Sequence, residues 1–204
     1  MKNRASIRVV GLGGSLSKVS TSLAALKIVL QGASDAGAKT SLFDIRRLDL
    51  PMYAPDLSPQ TRVIQMCNEV HHTNGLIWSS PMYHGTISGS FKNSVDWFQL
   101  LGERDSPYLK DKIVGMISTA GGVQGLQAVN TMEFIVRALR GWAVPLVIPV
   151  ARATQAFDKA GRVTDRTIED QLRALGREVV RALEQFSSHG YCDYSPEIHA
   201  DSTQ

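Results

Sequence analysis

The sequence contains no apolar run approaching the roughly 20 residues needed to span a bilayer. It has only two cysteines, Cys67 and Cys192, with neither a CxxC pair nor a histidine cluster nearby, which argues against a structural zinc site. Cys67 falls within a helical pattern and reads as packing. Cys192 lies in a polar tail, and neither thiol has a neighbour that would mark it as a nucleophile. Charge of one sign is also scarce. The 22 Lys and Arg residues are scattered among 19 Asp and Glu, for a net +3, so a nucleic-acid footprint is not expected. The basic start from Met1 to Arg8 leads only to a short apolar run ending in glycines. It lacks the longer stretch and small-residue cleavage site of a secretory signal, and the expected location is cytoplasmic.

What is present is a chain of 204 residues, 43% hydrophobic and 20% charged, sized for one good core. Short runs rich in Val, Ile and Leu alternate with longer stretches of helical apolar spacing. Strands are expected at residues 7–10, 40–44, 75–80, 113–119 and 144–150, the third stopped by Pro81. Helices are expected from Ser20 or Thr21 to about Gly37, then over 59–73, 89–101, 123–141 and 165–186. A loop covers 46–59, and a hairpin is expected at 158–161. Alternation of this kind predicts an α/β fold, a five-stranded parallel sheet with helices on both faces. One domain is expected over 1–189, followed by a polar tail over 190–204.

In such sheets ligands bind at the carboxyl ends of the strands, where strand order reverses. Three turns there stand out. Gly13 to Ser22 is a glycine start followed by hydroxyls entering a helix, a cradle for an anion. It has neither the GxGxxG spacing of a dinucleotide fold nor a P-loop GKS or GKT, so a monophosphate fits better than a pyrophosphate. A Ser-rich turn with an ordinary N-cap is the plain alternative. Residues 79–93 form a long loop carrying Tyr83 and His84, with Gly85 and Gly89 allowing close backbone approach to a flat ring. Read singly, Tyr83 is better taken as a packing residue and His84 as a solvent-facing or core-satisfied histidine, with no partner carboxylate located for general-base work. Residues 118–125 make a second strand–glycine–helix turn, which an ordinary tight turn would also explain. Together the three turns point to a flat phosphorylated ligand. No metal site and no catalytic side chain are expected.

The motifs Gly14-Ser15-Leu16-Ser17-x-x-Ser20, Ser80-Pro81-x-Tyr83-His84-Gly85-x-x-Ser88-Gly89-x-x-Lys92-Asn93-x-x-Asp96-Trp97 and Gly121-Gly122 resemble the NADPH-dependent FMN reductase family over residues 8–150. The middle motif is the specific one. The resemblance implies a flavodoxin-like, doubly wound sheet of strand order 2-1-3-4-5, with FMN as cofactor and NADPH, or NADH, as reductant. Ser15, Ser17, Ser20, Thr21 and Ser22 would hold the FMN phosphate. Pro81, Met82, Tyr83, His84 and Gly85 would line the ring and ribityl chain, and Ser118, Gly121 and Gly122 would meet the pyrimidine edge. Lys92, Asn93, Asp96 and Trp97 read as structural. The implied activity is hydride transfer from nicotinamide to bound flavin and on to a small-molecule acceptor, in a homodimer or homotetramer. The alternatives are a quinone, azo-dye or chromate-type reductase on the same site, an electron carrier that never meets nicotinamide, or a flavin-free binding module. One departure is that many members carry Arg where this chain has Ser17, next to Lys18, which leaves open the choice between NADPH and NADH.

Overall fold

In a computed structural model, residues 7–188 are described; the tail expected over 190–204, with Cys192, lies outside them. In chain order the elements are β1 (Arg8–Gly13), α1 (Thr21–Asp35), β2 (Lys39–Asp44), α2 (Ile45–Leu48), α3 (Thr61–His72), β3 (Gly75–Tyr83) and β4 (Thr86–Ile87). There follow α4 (Gly89–Asp96) with a 3₁₀ turn at Trp97–Leu101, β5 (Ile113–Thr119), α5 (Gly125–Ala138), β6 (Trp142–Val150), α6 (Ala153–Ala156) and α7 (Arg166–Ser188).

Five strands pair in parallel in the order β2-β1-β3-β5-β6, which is the expected flavodoxin-like 2-1-3-4-5. The sheet nevertheless has six strands, not five. The extra one, β4, runs antiparallel to the end of β3, pairing Met82 with Ile87 and Tyr83 with Thr86. Two residues are too few to carry a periodic signal. Strand β3 also runs through Pro81, where the sequence predicts a stop. Ser79 turns its carbonyl toward β1, where it accepts from the Gly14 N–H. Peptide groups alternate along a strand, so the missing N–H of Pro81 also faces that side, and β1 has already ended at Gly13 opposite Ser79. No ladder bond is lost. Its other side still pairs with β5, Pro81 opposite Thr119.

Side chains of the central strands alternate between two cores, as period 2 requires. Leu76, Trp78, Val114 and Met116 pack under α3, α4 and α5, while Ile77, Ile113 and Ile117 pack under α1 and α7. The second layer is unusually close. A Cβ on Gly176 of α7 would run into the Val29 carbonyl oxygen of α1, and one on Gly32 would run into the Arg173 carbonyl. The two helices therefore touch backbone to backbone. Arg173 then reaches Asp35 at 3.4 Å and Glu169 at 2.9 Å.

β6 is the outer strand on its side, and it carries exposed Pro145 and Pro149. The loop expected over 46–59 contains α2, capped by Asp44, whose Oδ1 accepts from the Arg46 N–H at 3.0 Å. The hairpin near 158–161 is present, closed by Gly161 N–H to the Asp158 carbonyl at 2.9 Å and a Phe157–Val163 bridge.

Cys67 is buried in α3, with its Sγ donating to the Trp97 carbonyl at 3.5 Å. Burial pushes its thiol up to about 12, against a smaller opposing pull from Arg104. The thiol thus stays protonated at neutral and mildly alkaline pH. In Cys192→Ser protein, Cys67 is expected to resist a thiol reagent at pH 8 until denaturant is added; prompt native labelling would contradict this. Gly176→Ala should gain about 1 kcal/mol of helix propensity but lose more to the α1 backbone. Overpacking costs about 1–3 kcal/mol even between side chains, so a net loss of about 2 kcal/mol is expected in urea unfolding.

Candidate functional site

The ends of β1, β3 and β5 lie side by side, and strand order reverses between β1 and β3. The approach there is tight, because a Cβ on Gly13 would run into the Ser79 carbonyl. With no side chain in the way, the Gly14 N–H donates to that carbonyl at 3.1 Å, and the chain turns away at Gly14 with φ 104°. Ser79 also clips the start of α1, its hydroxyl donating to the Ser22 carbonyl at 2.8 Å.

The first turn is a relay of hydroxyls. Ser15, buried, donates to Ser20 Oγ at 3.0 Å and accepts from the Ser17 N–H at 3.3 Å. Ser20 is the N-cap of α1, accepting from the Leu23 N–H at 3.2 Å, and its Oγ lies 3.0 Å from that of Ser22. The first turn of α1 carries no acidic residue, so its end charge of about +0.5 is not neutralised from within the helix, although the Asp44 carboxylate lies beside Gly14. Ser17 and Lys18 are exposed, whereas Ser22 is buried behind the turn.

The second turn differs from the long loop expected over 79–93, most of which is regular structure. His84 and Gly85, with φ 49° and 86°, join β3 to β4 in the manner of a two-residue type I′ hairpin. Met82 steadies it, its Sδ accepting from the Gly85 N–H at 3.2 Å. Thr86 meets Thr131 of α5 through hydroxyls 3.0 Å apart. Tyr83, His84 and Gly85 are exposed, and Pro81 is buried. No carboxylate pairs with His84 among the described residues. Ser88 then caps α4, accepting from the Phe91 N–H at 3.2 Å.

In the third turn, Gly121 and Gly122 are exposed, and the space beside Gly121 is open. Ala153 N–H to the Ala120 carbonyl and Arg152 N–H to the Gly122 carbonyl, both 2.9 Å, tie this turn to α6. Ser118 is fully buried, its hydroxyl donating to the Gly125 carbonyl at 2.6 Å. It braces the turn from beneath. The first and third turns are linked directly, because Thr21 Oγ1 donates to Thr119 Oγ1 at 3.3 Å.

Sequence reasoning did not reach Thr119, or the way the 49–59 segment is held. Asn93 Oδ1 accepts from the Tyr53 N–H at 2.8 Å, and its Nδ2 donates to the Pro51 carbonyl at 2.9 Å. Trp97 Nε1 donates to the same carbonyl at 3.0 Å, and the Tyr53 ring stands edge-on to Trp97. With Lys92 and Asp96 paired along one helix face, all four residues of that motif are occupied structurally.

Residues 7–155 match the sequence profile of the NADPH-dependent FMN reductase family, nearly three quarters of the chain. The chain belongs to that family. Among relatives, the NADPH-dependent FMN reductase ArsH of Rhizobium meliloti is 30% identical over 174 residues, 85% of this chain and 71% of that protein. The ArsH of Acidithiobacillus ferrooxidans is 32% identical over 145 residues, 71% of this chain, but the match spans only 60% of that longer protein. The FMN-dependent NADPH-azoreductase of Staphylococcus aureus is 35% identical over 99 residues, about half of each chain. Among solved structures, the flavoenzyme NAD(P)H:(acceptor) oxidoreductase FerB of Paracoccus denitrificans superimposes with a TM-score of 0.70 over 88% of this chain and 98% of that one. At 23% identity it speaks for the fold alone.

The left-handed turn at His84 generates a test. A non-glycine residue there costs about 1 kcal/mol, and a β-branched one more. His84→Gly should therefore raise thermal stability slightly, and His84→Val should lower it by about 1–2 kcal/mol. Equal stability of the two variants would show that the turn does not hold this shape.

Proposed function

We propose that the chain is an NAD(P)H-dependent flavin oxidoreductase of the cytoplasm that holds FMN across the three turns at the ends of β1, β3 and β5. The observation that carries this reading is the direct joining of those turns, through Gly14 and Ser79 and through Thr21 and Thr119. One ligand can touch all three.

The residues present fit the cofactor. A phosphate suits the first turn, where the end of α1, with no acidic residue in its own first turn, meets the Ser15–Ser20 hydroxyl relay, the exposed Ser17 and the half-buried Thr21. Gly121 leaves backbone uncovered in open space, and Gly122 beside it is exposed next to the Gln124 side chain, so a ring edge can approach peptide N–H groups. The Tyr83-His84-Gly85 turn, held by Met82 and Thr131, offers a fixed wall for a flat ring. Ser22, Pro81 and Ser118 stand behind these surfaces and keep them in place. Bound FMN would supply the hydride chemistry, accepting from a nicotinamide and passing electrons to a second acceptor. The protein's part is to bind, orient and shield, which requires no acid–base side chain.

A homo-oligomer belongs to the same reading. Val123, Leu126 and Phe134 are exposed along α5 and the turn before it, Phe134 at 72%. Tyr83 is exposed on the hairpin that α5 carries. A second copy of the chain covering this strip would also wall the flavin site.

Anaerobic NADPH or NADH is expected to bleach the absorbance of the FMN-loaded protein, and rates with flavin, quinone, azo-dye and metal-oxyanion acceptors would assign the second half-reaction. Loss of FMN on dialysis, or no bleaching with either reductant, refutes the proposal. Light scattering should report a dimer or tetramer that Phe134→Asp weakens.

A further inference from the structure

Next to the phosphate turn, but outside it, lies a groove of 450 Å³ between α1 and the 157–163 hairpin. Its rim carries three cations, Lys18, Lys27 and Arg162, and no acidic residue lines it. Among the described residues neither lysine has an ion-pair partner. Asp158 grips Arg162 through Nε and Nη2, both at 2.7 Å, which fixes the guanidinium while Nη1 has no described partner. That carboxyl is held below its ordinary range, chiefly by the Arg162 N–H and then by its side chain, so the pair is ionised at neutral pH with no net charge. The groove's free positive charge comes from Lys18 and Lys27, while Arg162 offers Nη1 as a donor. The floor is apolar, with Leu23, Ile28 and Val163. Ser20 lines the groove as well as capping α1, so groove and flavin site share a wall. The hairpin side, residues 160–163, falls beyond the 7–155 span that matches the family profile.

We propose that this groove receives the adenosine half of NADPH, with its 2′-phosphate on Lys18, Lys27 and Arg162. This rests on the reductase reading and adds the preference between reductants. A phosphomonoester carries about −1.5 to −2 charges at pH 7, and a purine needs apolar surface. The groove offers both, at a volume within the roughly 300–1,000 Å³ of small-molecule sites. NADH has a hydroxyl where NADPH has this phosphate, so the cations distinguish the two by charge alone. It also gives Lys18 a place. Its side chain lies on the flank of α1 with Lys27, whereas Ser17 stays on the phosphate turn.

The test is calorimetric titration of the protein with 2′,5′-ADP and with 5′-AMP, beside steady-state kinetics with NADPH and NADH. Wild type is expected to bind 2′,5′-ADP at least tenfold more tightly than 5′-AMP. Lys27→Ala should narrow that gap about tenfold and Lys27→Glu more, with the KM ratio of NADPH to NADH rising in step. Lys27 is exposed, so neither variant threatens folding. Equal affinity for the two nucleotides, no effect of Lys27→Glu, or displacement by millimolar inorganic phosphate alone overturns the groove assignment and leaves the reductase reading standing. Failure of flavin reduction with both reductants sinks the reductase reading, and the titrations still decide whether the groove selects the 2′-phosphate.

Discussion

The closeness of β1 and β3 at Gly13 is the condition on which the site depends. Only hydrogen fits between that backbone and the Ser79 carbonyl. Because it fits, Gly14 can bond across the gap, the chain can turn at once, and the first turn of α1 arrives over the neighbouring strand ends. Ser79 reinforces the arrangement from the other side by holding the Ser22 carbonyl. The helix end, the hydroxyl relay and the link from Thr21 to Thr119 all inherit their positions from this one contact. At its far end α1 is held just as closely, where Gly32 and Gly176 bring α1 and α7 into backbone contact. A helix gripped at both ends cannot easily tilt, so the anion-seeking end stays aimed without any ligand present.

Much of this could be read in the residues. The apolar runs and their intervening helical stretches specified the parallel sheet, because both faces of each central strand are covered and the apolar signal there is nearly continuous, whereas the strand order came from the resemblance to the family. The three turns could be found because glycine and hydroxyl residues gather at the ends of three strands on one edge of the sheet, although each turn alone has an ordinary explanation. Strand β4 was not legible, since a two-residue strand has no period, and neither was the passage of β3 through Pro81. That passage depends on where β1 stops, a fact of pairing rather than of local sequence. The burial of Ser22 and Ser118 behind the turns they belong to was equally hidden. A hydroxyl's direction follows from its neighbours in space, and Gly125 and Ser20 are those neighbours. The tether from Asn93 and Trp97 to Pro51 joins residues more than forty positions apart, beyond the reach of any local pattern.

The site also divides its labour between exposed and hidden groups. Ser17, Tyr83, His84, Gly121 and Gly122 meet solvent, while Ser15, Ser118 and Pro81 lie beneath. Buried hydroxyls with fixed partners make the surface groups stiff, and stiffness lowers the entropy lost when a ligand is ordered. What the chain presents at this edge of the sheet is shape and dipoles, the turns of glycine and hydroxyl residues and the start of α1.

The prolines of β6 carry a consequence for how such molecules meet. Val150 turns its carbonyl toward β5, so the neighbouring Pro149 faces outward, where it can offer no hydrogen to an incoming strand. Pro145 interrupts the same stretch inside the irregular register between β5 and β6. A foreign strand laid along this rim would find its ladder broken, and uncontrolled growth of the sheet from one molecule to the next is discouraged there.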